Sequence, residues 1–227
     1  SSNTCVVGTS WTDSAGNAPE AGLTSSNYAV DNVAPTTSSV AIDDSSLISG
    51  ETATVTVVLS EANSGFTNAD VTCASGSLGS LSVAGDGVTY TGTFTPTSST
   101  TAASNTCVVG TGWTDTAGNT GVGLTSSAYA VDTAAPTSSW TSISDTSLIE
   151  GETATLIMVL SEANSGFTNA DVTCANGAVA ALSVAGDGVT YTGVFTPTAE
   201  TSDATNTCVI GTGWTDTAGN TGVGSTS

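Results

Sequence analysis

The chain has 227 residues, of which 38% are hydrophobic, and it carries 20 Asp and Glu against no Lys, Arg or His, for a net charge of −20. Proteins bind nucleic acids and anionic lipids through basic surfaces, so this composition excludes both as direct partners. The length corresponds to about two domains, no stretch is apolar enough to insert into a membrane, and residues 1–25 lack the pattern of a signal peptide.

The beginning of the chain repeats a segment found twice further on. TCVVGTSWTDSAGN, which contains Cys5, returns as TCVVGTGWTDTAGN around Cys107. Such self-similarity is the mark of a repeat protein. We expect three parts, namely the C-terminal strands of an incomplete preceding repeat (1–30), a complete repeat (31–131) and a second repeat that lacks its last strand (132–227).

Each repeat begins at a proline-containing joint. The joints read YAVDNVAPT at residues 28–36 and YAVDTAAPT at 129–137, and the second follows the first by 101 residues. Pro35 and Pro136 fix their own φ and favour an extended conformation in the residue before them. The sequence therefore predicts short, semi-rigid connectors and an elongated rod.

Within a repeat, the hydrophobic pattern has the period of two that is typical of strands. Residues 52–59 and 88–95 alternate apolar residues with threonine, and the second run follows Gly85-Asp86-Gly87, a hairpin turn signal. Further strands are expected near residues 39–42, 70–74, 77–83, 105–109 and 128–131. About seven short strands in about 100 residues predict an all-β fold of tandem Ig-like Greek-key β-sandwiches.

The five cysteines recur with the repeat and lack the close spacing of a zinc or redox site. We expect the disulfides Cys73–Cys107 and Cys174–Cys208, because each pair lies on two predicted strands of one repeat. Disulfides place the chain in an oxidising compartment outside the cytoplasm. The partner of Cys5 is expected outside this segment, in the first part of the preceding repeat, and an intermolecular disulfide is the alternative.

Four motifs occur in the same order in both repeats: YAVDxxAPT, SExxxGFTNADV, a GDGVTYTG hairpin and WTDTAGN. Together they resemble the bacterial Ig-like tandem repeats of giant surface adhesins and biofilm-associated proteins, over essentially the whole chain. The resemblance implies a stalk on or outside a bacterial cell, often stiffened by calcium at the joints. Cysteines stand where such repeats usually carry aliphatic residues, and the few basic residues of the family are missing.

The resemblance also implies that acidic residues near each joint bind Ca²⁺, a hard cation that takes about six to eight oxygen ligands. On this basis we expect two sites, one from Asp13, Asp31, Glu61 and Asp70 and the other from Asp115, Asp132, Glu162 and Asp171. The alternative is that Asp115 only forms an Asx turn with Gly118 and Asn119, and that both glutamates are solvated loop charges. Asp86 and Asp187 are expected to form turns.

The chain has few side chains that could catalyse a reaction, since it contains no His, Lys or Arg. Nothing in the sequence sets two carboxylates across a cleft, as glycoside hydrolysis requires. We therefore do not expect an enzyme. Trp113 and Trp214 precede turns and are expected to cap the core instead of stacking on a sugar. The sequence predicts a structural stalk or extracellular fibre at a bacterial surface. Its expected partners are neighbouring repeats of the same or an identical chain, with a cell-surface or glycan ligand elsewhere in the full protein. The alternatives are a carbohydrate- or surface-binding module and a filament subunit with strands donated between chains.

Overall fold

A computed structural model describes residues 3–227, which form strands and two short 3₁₀ helices. The N-terminal segment, residues 3–30, contains one antiparallel pair of strands, β1 (Val6–Val7) and β2 (Leu23–Thr24). The apolar side chains of both strands are exposed and lie outside the two hydrophobic cores of the chain.

The first domain follows with thirteen strands and one 3₁₀ helix, Asn68–Asp70. Many of the strands are only two or three residues long. In chain order they are β3 (Thr37–Ile42), β4 (Ser46–Ile48), β5 (Ala53–Leu59), β6 (Asn63–Ser64), β7 (Val71–Cys73), β8 (Gly76–Leu78), β9 (Ser82–Val83), β10 (Thr89–Pro96), β11 (Thr101–Asn105), β12 (Cys107–Val109), β13 (Thr114–Asp115), β14 (Leu124–Thr125) and β15 (Tyr129–Asp132).

The second domain repeats this arrangement with ten strands and the 3₁₀ helix Asn169–Asp171. Residues 147–149 and 202–206, which correspond to β4 and β11 of the first domain, are not strands. In chain order the strands are β16 (Ser138–Ile143), β17 (Ala154–Leu160), β18 (Asn164–Ser165), β19 (Val172–Cys174), β20 (Gly177–Val179), β21 (Ser183–Val184), β22 (Thr190–Pro197), β23 (Cys208–Ile210), β24 (Thr215–Asp216) and β25 (Ser225–Thr226).

Two layers of strands enclose the core of the first domain. One is the antiparallel sheet β3-β5-β10-β8, with β9 also paired to β10. The other consists of β14-β12-β7 and β11-β15-β4, in which β15 runs parallel to β4. Phe94 of the first layer meets Tyr129 of the second with ring centroids 5.4 Å apart. This arrangement confirms the predicted all-β, Ig-like sandwich.

The predicted alternation and hairpin are both present. In β5 the alternate residues Ala53, Val55, Val57 and Leu59 are buried, whereas the threonines between them face outwards. The turn between β9 and β10 is held by Asp86, whose Oδ1 accepts hydrogen bonds from two backbone N–H groups. The period-two pattern therefore identified the strands with one buried face, as expected for a half-covered sheet.

In the first domain the sequence pattern missed β4, β6, β11, β13, β14 and the 3₁₀ helix. β4 is too short to show a period, and β11 (TAASN) has few apolar residues. Asp70, predicted to begin a strand, instead ends the 3₁₀ helix and accepts a hydrogen bond from the Thr67 backbone N–H at 2.9 Å. This capping box satisfies backbone groups that no strand partner reaches.

Both predicted disulfides are present. Cys73 and Cys107 are directly opposite each other on β7 and β12, and Cys174 and Cys208 are opposite each other on β19 and β23. Each disulfide is buried, and each belongs to the hydrophobic core of its domain. Cys5 is exposed and has no disulfide partner within residues 3–227.

Candidate metal centres at the joints

Strand pairing brings three separate segments together at the end of each domain where the joint enters. In the first domain β13 pairs with β6, which sets Asp115 opposite Asn63, two residues after Glu61. The loop after β13 returns to the joint, where the Val122 backbone N–H donates to the Pro35 carbonyl oxygen at 2.9 Å. The turn of the WTDTAGN motif, the glutamate loop and the joint therefore meet at one place.

Each of these places gathers three carboxylates. The first cluster contains Asp31, Glu61 and Asp115, and the second contains Asp132, Glu162 and Asp216. Within each cluster, one carboxylate oxygen per residue lies within 4.8 Å of the others. Exposure falls from the aspartate of the joint to the aspartate of the turn, and both turn aspartates are buried.

The buried aspartates are oriented by their own turns. Asp216 Oδ1 accepts hydrogen bonds from the backbone N–H groups of Gly219 and Asn220, at 2.6 and 2.8 Å, and Oδ2 accepts one from Asn220 Nδ2 at 2.8 Å. Burial by itself would raise the pKa of Asp216, but these hydrogen bonds outweigh it and lower the pKa. Asp216 is therefore ionised at neutral pH, and Oδ2 keeps a lone pair for another partner.

The equivalent turn of the first domain has the same design. The Asn119 side chain donates to Asp115 Oδ2 at 2.7 Å, and this hydrogen bond, with those from the backbone, lowers the pKa of Asp115. The Asx turn that was weighed against a metal site is thus present. The turn does not compete with the cluster, because it leaves one face of the carboxylate directed at the neighbouring acids.

Glu162 is the member of the second cluster whose pKa is raised. Burial raises its pKa, and the negative charges of Asp216 and Asp132 raise it further. Since the sequence contains no Lys, Arg or His, no basic side chain can compensate these charges. Ionisation of Glu162 is therefore less favourable in this cluster than in an isolated glutamate.

Asn220 connects the second cluster to the first domain. Its Nδ2 donates to the carbonyl oxygen of Asp132 at 2.9 Å, and its Oδ1 accepts a hydrogen bond from the backbone N–H of Ser49 at 2.9 Å. Ser49 directly follows β4, so this contact crosses the joint. Only a turn role was weighed for the equivalent Asn119, although the presence of this asparagine in all three copies of the motif was a signal for a role at each joint.

The acids are grouped differently from the prediction. Asp115 belongs to the first cluster, where Asp13 was expected, and Asp216 takes the expected place of Asp115 in the second. The prediction assumed that each WTD turn reaches forward to the next joint. Pairing of β13 with β6 turns it back to the joint of its own domain. Asp13 lies in the N-terminal segment, in an exposed Asx turn with Asn17.

Asp70 and Asp171 are also outside both clusters. Each is the last residue of a 3₁₀ helix, and its Oδ2 accepts a hydrogen bond from the backbone N–H of the capping threonine at 2.9 Å. This role fixes the carboxylate locally, which accounts for its absence from the metal-ligand geometry. Asp86 and Asp187 form hairpin turns, as predicted.

The tryptophans of the two WTDTAGN motifs are buried. Trp113 and Trp214 pack edge-to-face against Phe66 and Phe167, and each Nε1 donates to a backbone carbonyl oxygen. Both rings therefore complete the cores and cannot stack on a sugar. Trp11 in the N-terminal segment is exposed.

Two β-sandwiches in tandem, with an acidic cluster at each joint, place the chain among proteins built from tandem β domains. Comparison with known proteins identifies the family. The profile of the bacterial Ig-like domain matches residues 31–131 and 132–227. The chain belongs to this family, which confirms the resemblance seen in the motifs.

No curated protein is significantly similar to this chain. Among solved structures, the chain is similar to FdeC, described as a broadly conserved Escherichia coli adhesin, with 15% sequence identity. The alignment covers 97% of this chain and 82% of that one, with a TM-score of 0.45. Neither helix in the described part of the chain is long and apolar enough to cross a membrane.

Proposed function

We propose that this chain is a structural repeat region of a secreted or cell-surface bacterial adhesin or extracellular fibre, a stalk locked by disulfides and stiffened by Ca²⁺ at its joints. The observation that supports it best is the three-carboxylate cluster at each joint, with one member from the joint and two from the domain that follows it. The two clusters share this design because the repeats share their sequence.

The donor set suits calcium. Three carboxylates supply between three and six oxygens, depending on whether each binds through one atom or two, and water completes the shell. A divalent cation would offset most of the local negative charge, which the sequence cannot do with a basic side chain. In the second cluster Asp132, Glu162 and Asp216 would hold the ion.

Binding there would stiffen the chain because Asp132 belongs to two structures at once. It is the last residue of β15, where it pairs with Ile48, and it is also the joint member of the second cluster. A cation that joins Asp132 to Glu162 and Asp216 therefore ties the last strand of one domain to the next domain. The Asn220 contact with Ser49 acts in the same direction.

The other features support a stalk over the alternatives. Two buried disulfides suit an extracellular protein exposed to oxidising conditions. Burial of Trp113 and Trp214 means that the two motif tryptophans cannot serve as platforms for a sugar ring. The grouped carboxylates face one another at the joints, which suits metal binding better than hydrolysis. The adhesive ligand would then be bound elsewhere in the full protein.

The test is a calorimetric melt of the chain in millimolar calcium and then in excess chelator, without reductant. A ligand that binds only the folded state raises its stability by mass action, so chelation should lower the melting temperature. An unchanged melt would return the joint acids to a role in turns and solvation alone, and would contradict the calcium-stiffened stalk.

Glu162→Gln should change the melting temperature in opposite directions in chelator and in calcium. The raised pKa of Glu162 means that its ionisation above the ordinary pKa costs folding stability, so the variant should melt higher than wild type in chelator. In calcium it should melt lower, because a ligand has been lost. Glu150→Gln, an exposed change in the same domain, is the matched control and should show neither effect.

A further inference from the structure

The hydrogen-bond ladder between β15 and β4 changes its partner at the joint. The backbone N–H of Ala130 donates to the carbonyl oxygen of Ser45 at 2.8 Å, and Asp132 pairs with Ile48 two residues further on. The bonds of a parallel ladder are evenly spaced, so the next one is expected to join the N–H of Ser49 to the carbonyl oxygen of Asp132. Both groups are bonded instead to one side chain of the second domain.

That side chain is the amide of Asn220. Its Nδ2 donates to the carbonyl oxygen of Asp132, and its Oδ1 accepts the hydrogen bond from the Ser49 N–H, both at 2.9 Å. Nδ2 also donates to Asp216 Oδ2 at 2.8 Å. A side-chain amide has the donor and the acceptor of a peptide group, so Asn220 extends the ladder of the first domain with a group from the second.

The position of Asn220 is fixed by burial and by its own turn. The residue is only 3% exposed, and its backbone N–H donates to Asp216 Oδ1 at 2.8 Å. Its carbonyl oxygen accepts a hydrogen bond from the backbone N–H of Asp216 at 3.0 Å. An aspartate at position 220 would place an oxygen against two acceptors, so the contact is specific for an amide.

The partner of Asn220 is a turn that the first domain holds in place by itself. The Glu51 backbone N–H donates to the carbonyl oxygen of Ile48 at 3.3 Å, and Glu51 Oε2 accepts a hydrogen bond from the Ile48 N–H at 2.9 Å. Gly50 has a φ of 85°, which makes this a type II turn with Ser49 at its second position. The two domains also approach closely here, since a Cβ built on Gly219 would lie 3.6 Å from Ile48 Cδ1.

We infer that Asn220 fixes the orientation of the second domain on the first by serving as an inserted group in the β15–β4 ladder, so that the joint is rigid before any metal binds. The contact also couples the stability of the two domains, because the last bonds of a sheet in one are made by a side chain of the other. This inference goes beyond the calcium proposal and does not rest on it, since every bond in it joins two protein atoms.

Both repeats contain both halves of the contact. Asn119 Nδ2 donates to the carbonyl oxygen of Asp31 at 3.3 Å and to Asp115 Oδ2 at 2.7 Å, as Asn220 does at the second joint. Residues 149–152 form the same turn as residues 48–51, with Gly151 at a φ of 84°. Each repeat therefore carries a turn that can receive an asparagine and an asparagine that can reach a turn.

The first variant is Ser49→Pro, which removes the backbone donor that Asn220 binds. Proline is common at the second position of a type II turn, and Ile48 before it is already extended in β4, so the turn itself should persist. Ser49→Ala keeps the N–H group and is the matched control. Asn220→Asp, a change of the same size in the other domain, removes the donor to the Asp132 carbonyl oxygen.

The measurement is NMR residual dipolar couplings of the whole chain in excess chelator, which report the orientation of each domain in a weakly aligned sample. One alignment tensor should fit both domains of the wild type and of Ser49→Ala. In Ser49→Pro and Asn220→Asp each domain should still fit a tensor of its own, which shows that it is folded, but the two tensors should differ.

Hydrogen exchange gives a second readout across the joint. Asn220→Asp should speed exchange of the β4 amides, in the other domain, by roughly twofold to tenfold, the factor that corresponds to the loss of one neutral hydrogen bond. Two different tensors in the wild type, one common tensor in Ser49→Pro, or unchanged exchange in β4 would overturn the inference. Because all these samples contain chelator, the result is independent of whether the acidic clusters bind calcium.

Discussion

Replacing Cys73 and Cys107 by alanine should cost the first domain a large part of its stability. The two residues are 34 apart in sequence, and closing a loop of this length removes unfolded-state entropy worth about 4 kcal/mol in the chain-entropy account. A domain of this size has a total stability of roughly 5–15 kcal/mol. The expected fall in melting temperature is roughly 15–30 °C.

The loss of stability should be confined to the first domain, because the loop that the disulfide closes lies wholly within it. The loop includes β8, β9 and β10, which make up much of one sheet, so the disulfide restrains most of one sheet in the unfolded chain. Alanine is small enough to fit at both positions, which keeps the folded state intact. The effect then comes from the unfolded ensemble and should resemble that of reducing the wild-type disulfide.

The assay is hydrogen exchange resolved by peptide, combined with calorimetry. Protection should fall throughout the first domain and remain in the second. The alanine pair at Cys174 and Cys208 should give the reciprocal result, and Cys5→Ala, at an exposed position, should change neither domain. A loss below about 1 kcal/mol, or an equal loss in both domains, would refute the loop-closure reasoning.

Three further perturbations test other contacts. Gly121→Ala would set a Cβ 2.3 Å from the Trp113 ring, so it should cost about 1–3 kcal/mol in denaturant unfolding, whereas Gly85→Ala, with open space around it, should cost much less. Because hydrogen bonds lower the pKa of Asp216 from 3.8, its contribution to stability is present above about pH 4 and is lost on further acidification; melts at falling pH should show a smaller loss for Asp216→Asn. Burial raises the pKa of Tyr129 to about 12, so an ultraviolet titration should show one tyrosine that ionises last, and Tyr129→Phe should remove that step.

Much of the sandwich could be predicted because its strands and turns are determined by residues that are close together in the sequence. The alternation in β5 needs only one buried and one exposed face, and the Asp86 turn needs only three residues. The disulfides followed from the repeat, since equal spacing in both copies pairs cysteines within a domain. These features depend on residues that are close in sequence or on a period that the sequence displays directly.

The membership of the acidic clusters could not be predicted in the same way. It depends on the pairing of β6 with β13 and on the contact of Val122 with Pro35, which join residues far apart in sequence. Both strands of that pair are two residues long, and such strands have no readable period. Asp13 and Asp115 occupy the same motif, so only the long-range contact distinguishes them.

The buried disulfide also sets how far a domain can lengthen when the chain is pulled from its two ends. The loop between Cys73 and Cys107 cannot extend while the disulfide holds, so about a third of the residues in the repeat 31–131 stay out of the load path. At about 3.4 Å for each extended residue, the remaining two thirds release roughly 200 Å. Force reaches the first domain through β15, whose bonds to the parallel strand β4 lie across the direction of pull and are loaded together in shear. A domain built this way resists tension until those bonds fail at once, and it then stops lengthening at the covalent loop.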